Sequence, residues 1–374
     1  MAKPGSPDDA YAAAGVRYET LDAGKVRAQR AAAATAAALA ARGLGEVAES
    51  RGESAYVVDL GDHLLATVTE ALGTKNLVAD AVRAHTGRSH YDAIARDTVA
   101  TILNDLCTVG GAPLTLTAYW GAGRSEWFED AARLADLVDG WATACADAGC
   151  SWGGGETQVL NGLIEPGAIV LGGAAVGIIR PKERLLLGSR VAAGDVLLVA
   201  PASGIHANGL TLARKLAAAL PQGYATPVPG DARGRGYGEV LLDPTPLYGP
   251  LVEALQTAAV DLHYAVHVTG HGWRKLMRAQ QPLTYVVERL PPVPPIFALL
   301  TRAARMDDAE AYGTFNMGAG FVCFVPAGDV PRACAAANAL GTELLVAGHA
   351  ERGDKRVELR PLGLSFSGDT LAIR

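Results

Sequence analysis

Glu70-Ala71-Leu72-Gly73-Thr74-Lys75 sets a carboxylate, a glycine, a hydroxyl and an ammonium side by side. A metal–phosphate site needs those functions: an oxygen ligand, close backbone approach, a hydroxyl and a cation. The chain holds only seven lysines, so one inside a glycine loop is less like surface filler. The plainer reading is a strand-to-helix turn with a solvated lysine. Asp97 and Asn104-Asp105 make a second set. A seven-residue step on a helix is ~700° of rotation, so Asp97 and Asn104 share a face, with Asp105 one residue round. Carboxylates on one edge suit a hard cation such as Mg²⁺; Asn-Asp near a helix end is also an ordinary cap or turn.

Trp152-Gly153-Gly154-Gly155-Glu156-Thr157 offers glycine amides able to face an anion beside a carboxylate, or else a flexible turn. Ser203-Gly204-Ile205-His206-Ala207-Asn208-Gly209 lies between a strand and a helix, where phosphates are cradled. An ordinary connection capped by Asn208 is the stronger reading there. His267-Val268-Thr269-Gly270-His271-Gly272 precedes another helix, Trp273 to Arg278. The His-x₃-His spacing of His267 and His271 falls before that helix rather than on it, so no helical His-x₃-His pairing appears, which discounts a zinc site.

The elements that must position these residues read as two α/β halves. Lys25 to Arg42 is Ala-rich and helical. Tyr56–Leu60 and Leu64–Thr69 form strands around a Gly61-Asp62 turn. Tyr91–Leu106 has helical period, and Leu114–Trp120 is a strand. Trp127, Ala131, Leu134, Val138, Trp141 and Cys145 recur at three and four as an amphipathic helix closed by Gly149. Ala168–Ile179 is an apolar strand, and Pro181 with Lys182-Glu183-Arg184 marks the boundary between domains 1–180 and 181–374. The second half opens with strand Val196–Ala200 and helix Leu210–Leu220. A polar loop (Pro221 to Gly238) and a helix at Leu247–Thr257 follow. Strands Tyr285–Glu288, Gly320–Val325, Glu343–Val346 and Val357–Arg360 surround a helix at Pro331–Leu340, an order similar to a split βαβ sandwich.

Composition narrows the classes. The chain has 374 residues, 49% hydrophobic and 19% charged, with net charge −6. That charge argues against a general nucleic-acid binder, which needs clustered Lys and Arg. The five cysteines are scattered and form no CxxC pair, which predicts a reduced cytoplasmic setting without structural zinc. The start, MAKPGSPDDA, lacks a secretory apolar stretch, and no run reaches the ~18 apolar residues of a membrane span. G-x-S-x-G, Walker A and Rossmann fingerprints are missing, so serine hydrolases, P-loop kinases and dinucleotide enzymes lose their usual support.

Taken in order, these motifs resemble the aminoimidazole ribonucleotide (AIR) synthetase family. The likeness runs from Tyr11-Ala12-Ala13-Ala14-Gly15-Val16 to about Val346. Its landmarks are Gly73-Thr74-Lys75, Asp97 with Asn104-Asp105, Gly154-Gly155-Glu156-Thr157, Ser203-Gly204 with Asn208-Gly209, Pro244-Thr245 with Tyr248, His267 with Thr269-Gly270 and Gly272, and Phe315-Asn316-Met317-Gly318. The resemblance implies an α/β protomer of two domains, the first with a sheet that pairs across a homodimer and the second a split-βαβ sandwich. It also implies ATP-dependent closure of formylglycinamidine ribonucleotide to aminoimidazole ribonucleotide, a step of purine biosynthesis, with Mg²⁺. On this reading Glu70, Asp97 and Asp105 hold the metal. Gly73, Thr74, Lys75, Asp97, Asn104 and Asp105 bind nucleotide together with Gly154, Gly155, Glu156 and Thr157, the last four toward the substrate. Lys75, Asp105 and His267 are catalytic, His267 handling a proton.

The sequence departs from that family at four points. Asp-Gly-Val-Gly-Thr-Lys is replaced by Glu70-Ala71-Leu72-Gly73-Thr74-Lys75. The Gly-Gly-Phe-Gly-type loop before the first strand is missing. Pro-Thr-Arg is Pro244-Thr245-Pro246, and the triple-glycine turn contains His271. These changes keep two alternatives open: a paralogue phosphorylating another small substrate, like thiamine-phosphate kinase, or a non-catalytic nucleotide-binding protein. Selenophosphate synthesis is disfavoured because no Cys precedes Cys107. A hydrogenase-maturation dehydratase is disfavoured because Asp369-Thr370-Leu371-Ala372-Ile373-Arg374 lacks a terminal Cys.

Overall fold

The computed structural model describes residues 18–371, with side chains from residue 24 onward. The Tyr11–Val16 landmark, the opening MAKPGSPDDA and the last residues, Ala372 to Arg374, lie outside the described residues. The Ala-rich N-terminal segment is helical but interrupted: α1 (Tyr18–Ala33) passes through a 3₁₀ turn into α2 (Ala37–Ala40).

In the first half, β1 (Gly45–Glu46), β2 (Tyr56–Asp59) and β3 (Leu64–Ala71) are followed by α3 (Asn76–Thr86) and α4 (Tyr91–Thr108). Then come β4 (Ala112–Ala122), α5 (Ala131–Asp147), β5 (Ser151–Val159) and β6 (Ile169–Ile179). The sheet order is β1-β2-β3-β6-β4-β5, antiparallel except for the β4–β5 pair. The strand β3 shows the period of two expected when one face is covered: Leu64, Ala66 and Val68 are buried while the residues between them are not. Their partner is α4, which buries Ile94, Val99, Ile102, Leu103 and Leu106 completely or nearly so. Each such side chain is worth about 1.5–3 kcal/mol of transfer free energy. Small residues on β6 let this helix lie close. A Cβ on Gly173 would meet the Thr117 carbonyl at 2.4 Å and the Ile102 side chain at 3.2 Å. The amphipathic pattern ending at Cys145 is α5, but Trp127 sits in a preceding 3₁₀ turn, and Asp130 caps the helix by accepting from the Arg133 N–H at 3.1 Å.

The second half holds β7 (Asp195–Pro201), α6 (Leu210–Ala217), α7 (Tyr237–Leu241), α8 (Gly249–Thr257), β8 (Tyr264–His267) and β9 (Leu283–Val287). After these come α9 (Pro295–Ala304), α10 (Asp308–Thr314), β10 (Ala319–Pro326), α11 (Val330–Asn338), β11 (Leu345–Arg352), β12 (Arg356–Leu359) and β13 (Leu364–Ser367). The sheet order is β13-β12-β9-β11-β7-β10-β8. Here both faces are covered, so alternation in burial vanishes and only the alternation of partners remains. On β7, Leu198 and Ala200 join Leu251, Leu255, Phe321 and Ala333. Leu197 and Val199 face the opposite cluster, with Tyr264, Val266 and Phe324. This is the α/β sandwich expected. The helix expected at Trp273–Arg278 is instead a 3₁₀ helix, Gly272–Arg278, and the strand expected at Glu343–Val346 runs further, to Arg352. Among the described residues, no helix is long and apolar enough to cross a membrane.

Candidate functional site

The helix α4 carries the site's organisation in its polar residues. Asp97 and Asn104 share the face predicted for them, with Thr101 between them, and both are fully buried. That face receives the segment 243–248 of the second half. Asp97 Oδ1 accepts from both the backbone N–H and the hydroxyl of Thr245. Asn104 donates to the Pro246 carbonyl at 2.9 Å and accepts from the Tyr248 N–H at 2.7 Å. The Lys75 ammonium lies 2.6 Å from Asp97 Oδ2, with both side chains fully buried, and also donates to the Asp243 carbonyl. Burial pushes the Asp97 carboxyl up, against the pull of Lys75 and Thr245.

This geometry places three of the expected site residues in the joint between the halves. The Asp97 oxygens serve Lys75 and Thr245. Lys75 meets its counter-charge there, and Asn104 is held by the same joint. Gly73 does make the sharp turn expected, at φ +79°, and delivers the chain to α3. The Thr74 hydroxyl is buried with no hydrogen-bond partner.

The glycine run differs in form from the turn expected. Trp152 through Thr157 is not a loop but part of β5, the edge strand beside β4. Between the pairs Leu116–Trp152 and Ala118–Gly155 the register shifts, and Gly154 takes φ +107°, a bulge rather than an anion nest. Gly155 is needed for close approach, since a Cβ there would lie 2.1 Å from the Ala118 carbonyl oxygen. Glu156 and Thr157 are exposed. Glu156 shares an open cavity on the uncovered face of the first sheet with Thr69, Glu70, Tyr119 and Gly173.

Glu70 and Asp105 do come together. Both line a small cavity of about 160 Å³ with Thr101, His206, Thr245 and His267. Both also line a larger cleft of about 570 Å³ that continues to Lys25, Ser54, His271, Lys275 and Arg278. Burial and the charge of Asp105 push the Glu70 carboxyl up. Burial acts on Asp105 in the same sense, but the His267 hydrogen bond and the cations Lys275 and Arg278 outweigh it, and its net direction is down. Two carboxylates facing one space, one raised by the other's charge, are a donor set that a hard cation would relieve. No cluster of three His, Cys, Asp or Glu with metal-holding geometry occurs among the described residues. A cation here would therefore complete its shell from phosphate oxygens and water, as Mg²⁺ does with one or two protein carboxylates.

His267, at the end of β8, donates from Nδ1 to Asp105 Oδ1 at 2.9 Å. Burial pushes this imidazole down, toward its neutral form, despite Asp105. Its Nε2 is buried without a partner, which leaves a lone pair able to take a proton. The ring of His206 stands 6.4 Å away, centroid to centroid. Its Nε2 accepts from the Ser203 N–H, while its Nδ1 is buried and unpartnered. Asn208, expected as a helix cap, instead donates to the Thr314 carbonyl, and Gly209 takes the N-cap position before α6.

Lys275 was not singled out by its sequence context. It is 7% exposed and donates to the His267 carbonyl at 3.2 Å and to the Thr269 hydroxyl. Burial and the neighbouring Arg278 push its ammonium down to about 8. His206 was passed over as part of a loop. The signal for both is weak: a histidine in a connection and a lysine in a helix too short for a period to mark the face it occupies.

Comparison with known proteins bears on this arrangement. The family model "AIR synthase related protein, N-terminal domain" matches residues 52–179, and "AIR synthase related protein, C-terminal domain" matches residues 192–360. A phosphoribosylformylglycinamidine cyclo-ligase of Carboxydothermus hydrogenoformans is 33% identical over 318 residues, covering 80% of this chain and 84% of that one. Its counterpart in Symbiobacterium thermophilum is 37% identical over 305 residues, covering 79% and 83%. Among solved structures, hydrogenase maturation protein HypE in complex with ATP has a similar fold. Its TM-score is 0.55 at 18% identity, covering 73% of this chain and 78% of that one.

Proposed function

The chain belongs to the AIR synthase family, and from that premise we propose which of its residues carry out the cyclo-ligase reaction. The protein is an enzyme, an ATP-dependent ligase that closes formylglycinamidine ribonucleotide to aminoimidazole ribonucleotide in purine biosynthesis. A formyl amide oxygen is a poor leaving group. ATP therefore gives its terminal phosphoryl group to that oxygen: the bond to ADP breaks, a P–O bond to the amide forms, the amide N–H releases its proton to solvent, and an iminophosphate results. The amidine nitrogen then attacks the activated carbon, the C–O bond breaks and phosphate departs.

The observation that carries this assignment of residues is the Glu70–Asp105 pair facing the cavity that also holds the Asp105–His267 hydrogen bond. Glu70 and Asp105 would hold Mg²⁺, which when bound offsets charge on the transferring phosphoryl group. Asp105 fixes the imidazole so that Nε2 presents its lone pair. His267 takes the proton that the amidine nitrogen sheds on ring closure. Burial supports that role by keeping the ring neutral and ready to accept.

The assembly we propose is a homodimer through the uncovered face of the first sheet. Val170 is 40% exposed there, and β5 offers an unpaired edge, which folded proteins cover. The reading is that of a cytoplasmic enzyme with a small ribonucleotide substrate. Measuring ATP turnover with and without formylglycinamidine ribonucleotide, with identification of the cyclised product, tests the function. Phosphorylation of thiamine phosphate instead, or nucleotide binding without turnover, would overturn it.

A further inference from the structure

We infer that Lys275 contacts the phosphoryl group that ATP gives up, and that it supplies the cation for which Lys75 is unavailable. This rests on the ATP-dependent reading above. Among the described residues the two lysines are both buried, but their charges are met differently. Lys75 has a carboxylate partner at 2.6 Å. Lys275 has only neutral acceptors, the His267 carbonyl and the Thr269 hydroxyl. A tetrahedral ammonium has three N–H donors, so one remains uncommitted. Lys275 also lines the 570 Å³ cleft.

A buried cation with no carboxylate in direct contact is costly, and an anion entering the cleft would offset that cost. The wall around it is built for one. Arg278 stands on the same 3₁₀ helix, and its guanidinium is steadied by donation to the Ser54 hydroxyl at 3.0 Å. Glu70 and Asp105 border the same space. The cleft thus has carboxylates suited to a divalent cation and cations suited to phosphate oxygens. That is the charge pattern of a metal-bound triphosphate. The two neutral acceptors fix where the ammonium sits, so a phosphoryl oxygen meets a preorganised donor.

Two variants and one probe test this. Lys275→Met keeps the stem and removes the charge, and Lys275→Arg keeps the charge. The probe is the non-hydrolysable ATP analogue AMPPNP with Mg²⁺, its binding measured by calorimetry. Losing one preorganised donor to developing charge costs on the order of 100-fold in rate, so Lys275→Met should lower kcat/KM for ATP by about that factor. It should also weaken AMPPNP binding by roughly tenfold, the scale of one charge-assisted hydrogen bond. The KM for the ribonucleotide and the nucleotide-free melting midpoint should hold, with Lys275→Arg recovering most of the binding. Undiminished AMPPNP binding by Lys275→Met overturns the inference, as does a loss confined to the ribonucleotide's KM. So does a lowered melting midpoint with binding that merely tracks the folded fraction. A parent enzyme that binds AMPPNP yet never cyclises the ribonucleotide would sink the proposed function and leave the binding arm to decide Lys275. A parent that does not bind AMPPNP overturns both.

Discussion

Lys75→Met separates a structural lysine from a phosphate-binding one. At the observed 2.6 Å, unit charges attract by about 6 kcal/mol at an effective dielectric near 20. Desolvating each ion costs several kcal/mol, so the intact pair adds little net stability. Breaking it is different. Methionine fills the space of the lysine stem but strands Asp97, because the Thr245 hydrogen bonds both go to Oδ1 and Oδ2 has no other partner. Removing one member of a buried pair costs about 3–5 kcal/mol. Lys75→Met with Asp97→Asn leaves no stranded charge and keeps an acceptor for Thr245. Its loss should be only about 1–3 kcal/mol, the cost of an unsatisfied amide. Urea unfolding followed by tryptophan fluorescence reads both, since indoles lie in each half. Equal losses in the single and double variants would refute the pairing argument. A Lys75→Met protein as stable as its parent, but weakened toward AMPPNP, would return Lys75 to the phosphate site.

Three further outcomes are expected. Glu70→Asp shortens the carboxylate that faces Asp105, and positioning errors of ~1 Å can cost ~100-fold, so cyclisation should slow; a faster variant would show that the site is tuned for another reaction. Gly155→Ala drives a Cβ into the Ala118 carbonyl, so β5 should peel from β4, with a lower melting midpoint and, in light scattering, loss of the species near twice 38.6 kDa; an unaltered midpoint would contradict the strand pairing. His271 is pushed down to about 3, first by burial and then by Arg274, Lys275 and Arg278. The native state therefore binds fewer protons than the unfolded chain between about 6.5 and 3, and stability is lost as pH falls through that window. His271→Asn, which tolerates the positive φ of that position, should flatten the loss between pH 7 and pH 5; an identical slope in both proteins would rule His271 out as its source.

Where burial follows a period, the fold was legible. Trp141 and Cys145 on α5, and Leu64 to Val68 on β3, announce their elements because one face is wet. The strand β5 was not, since glycine is depleted in strands and its pairing is decided by β4, far off in the chain. The site divided in the same way. The spacing of Asp97 and Asn104 told which face they share but not what covers it, for Thr245 lies 148 residues further on. Only tertiary contact could show that Asp97 serves a lysine and Asp105 a histidine. Lys275 had no local signature, because its meaning comes from the acceptors that hold it and the charges across the cleft.

The polar face of α4 implies a division of labour that bears on how such a protein can change. Asp97 and Asn104 fasten the two halves together, while Asp105, one residue further round, faces the cleft. Alterations around the cleft at positions 70, 271 and 275 therefore leave the fastening untouched, and the substrate pocket can drift without loosening the joint that creates it. The reverse does not hold. A change at Asp97 requires answering changes at Lys75 and Thr245, on opposite sides of the joint. The chain is thus free to explore new ligands one residue at a time, but bound to keep its seam as a set.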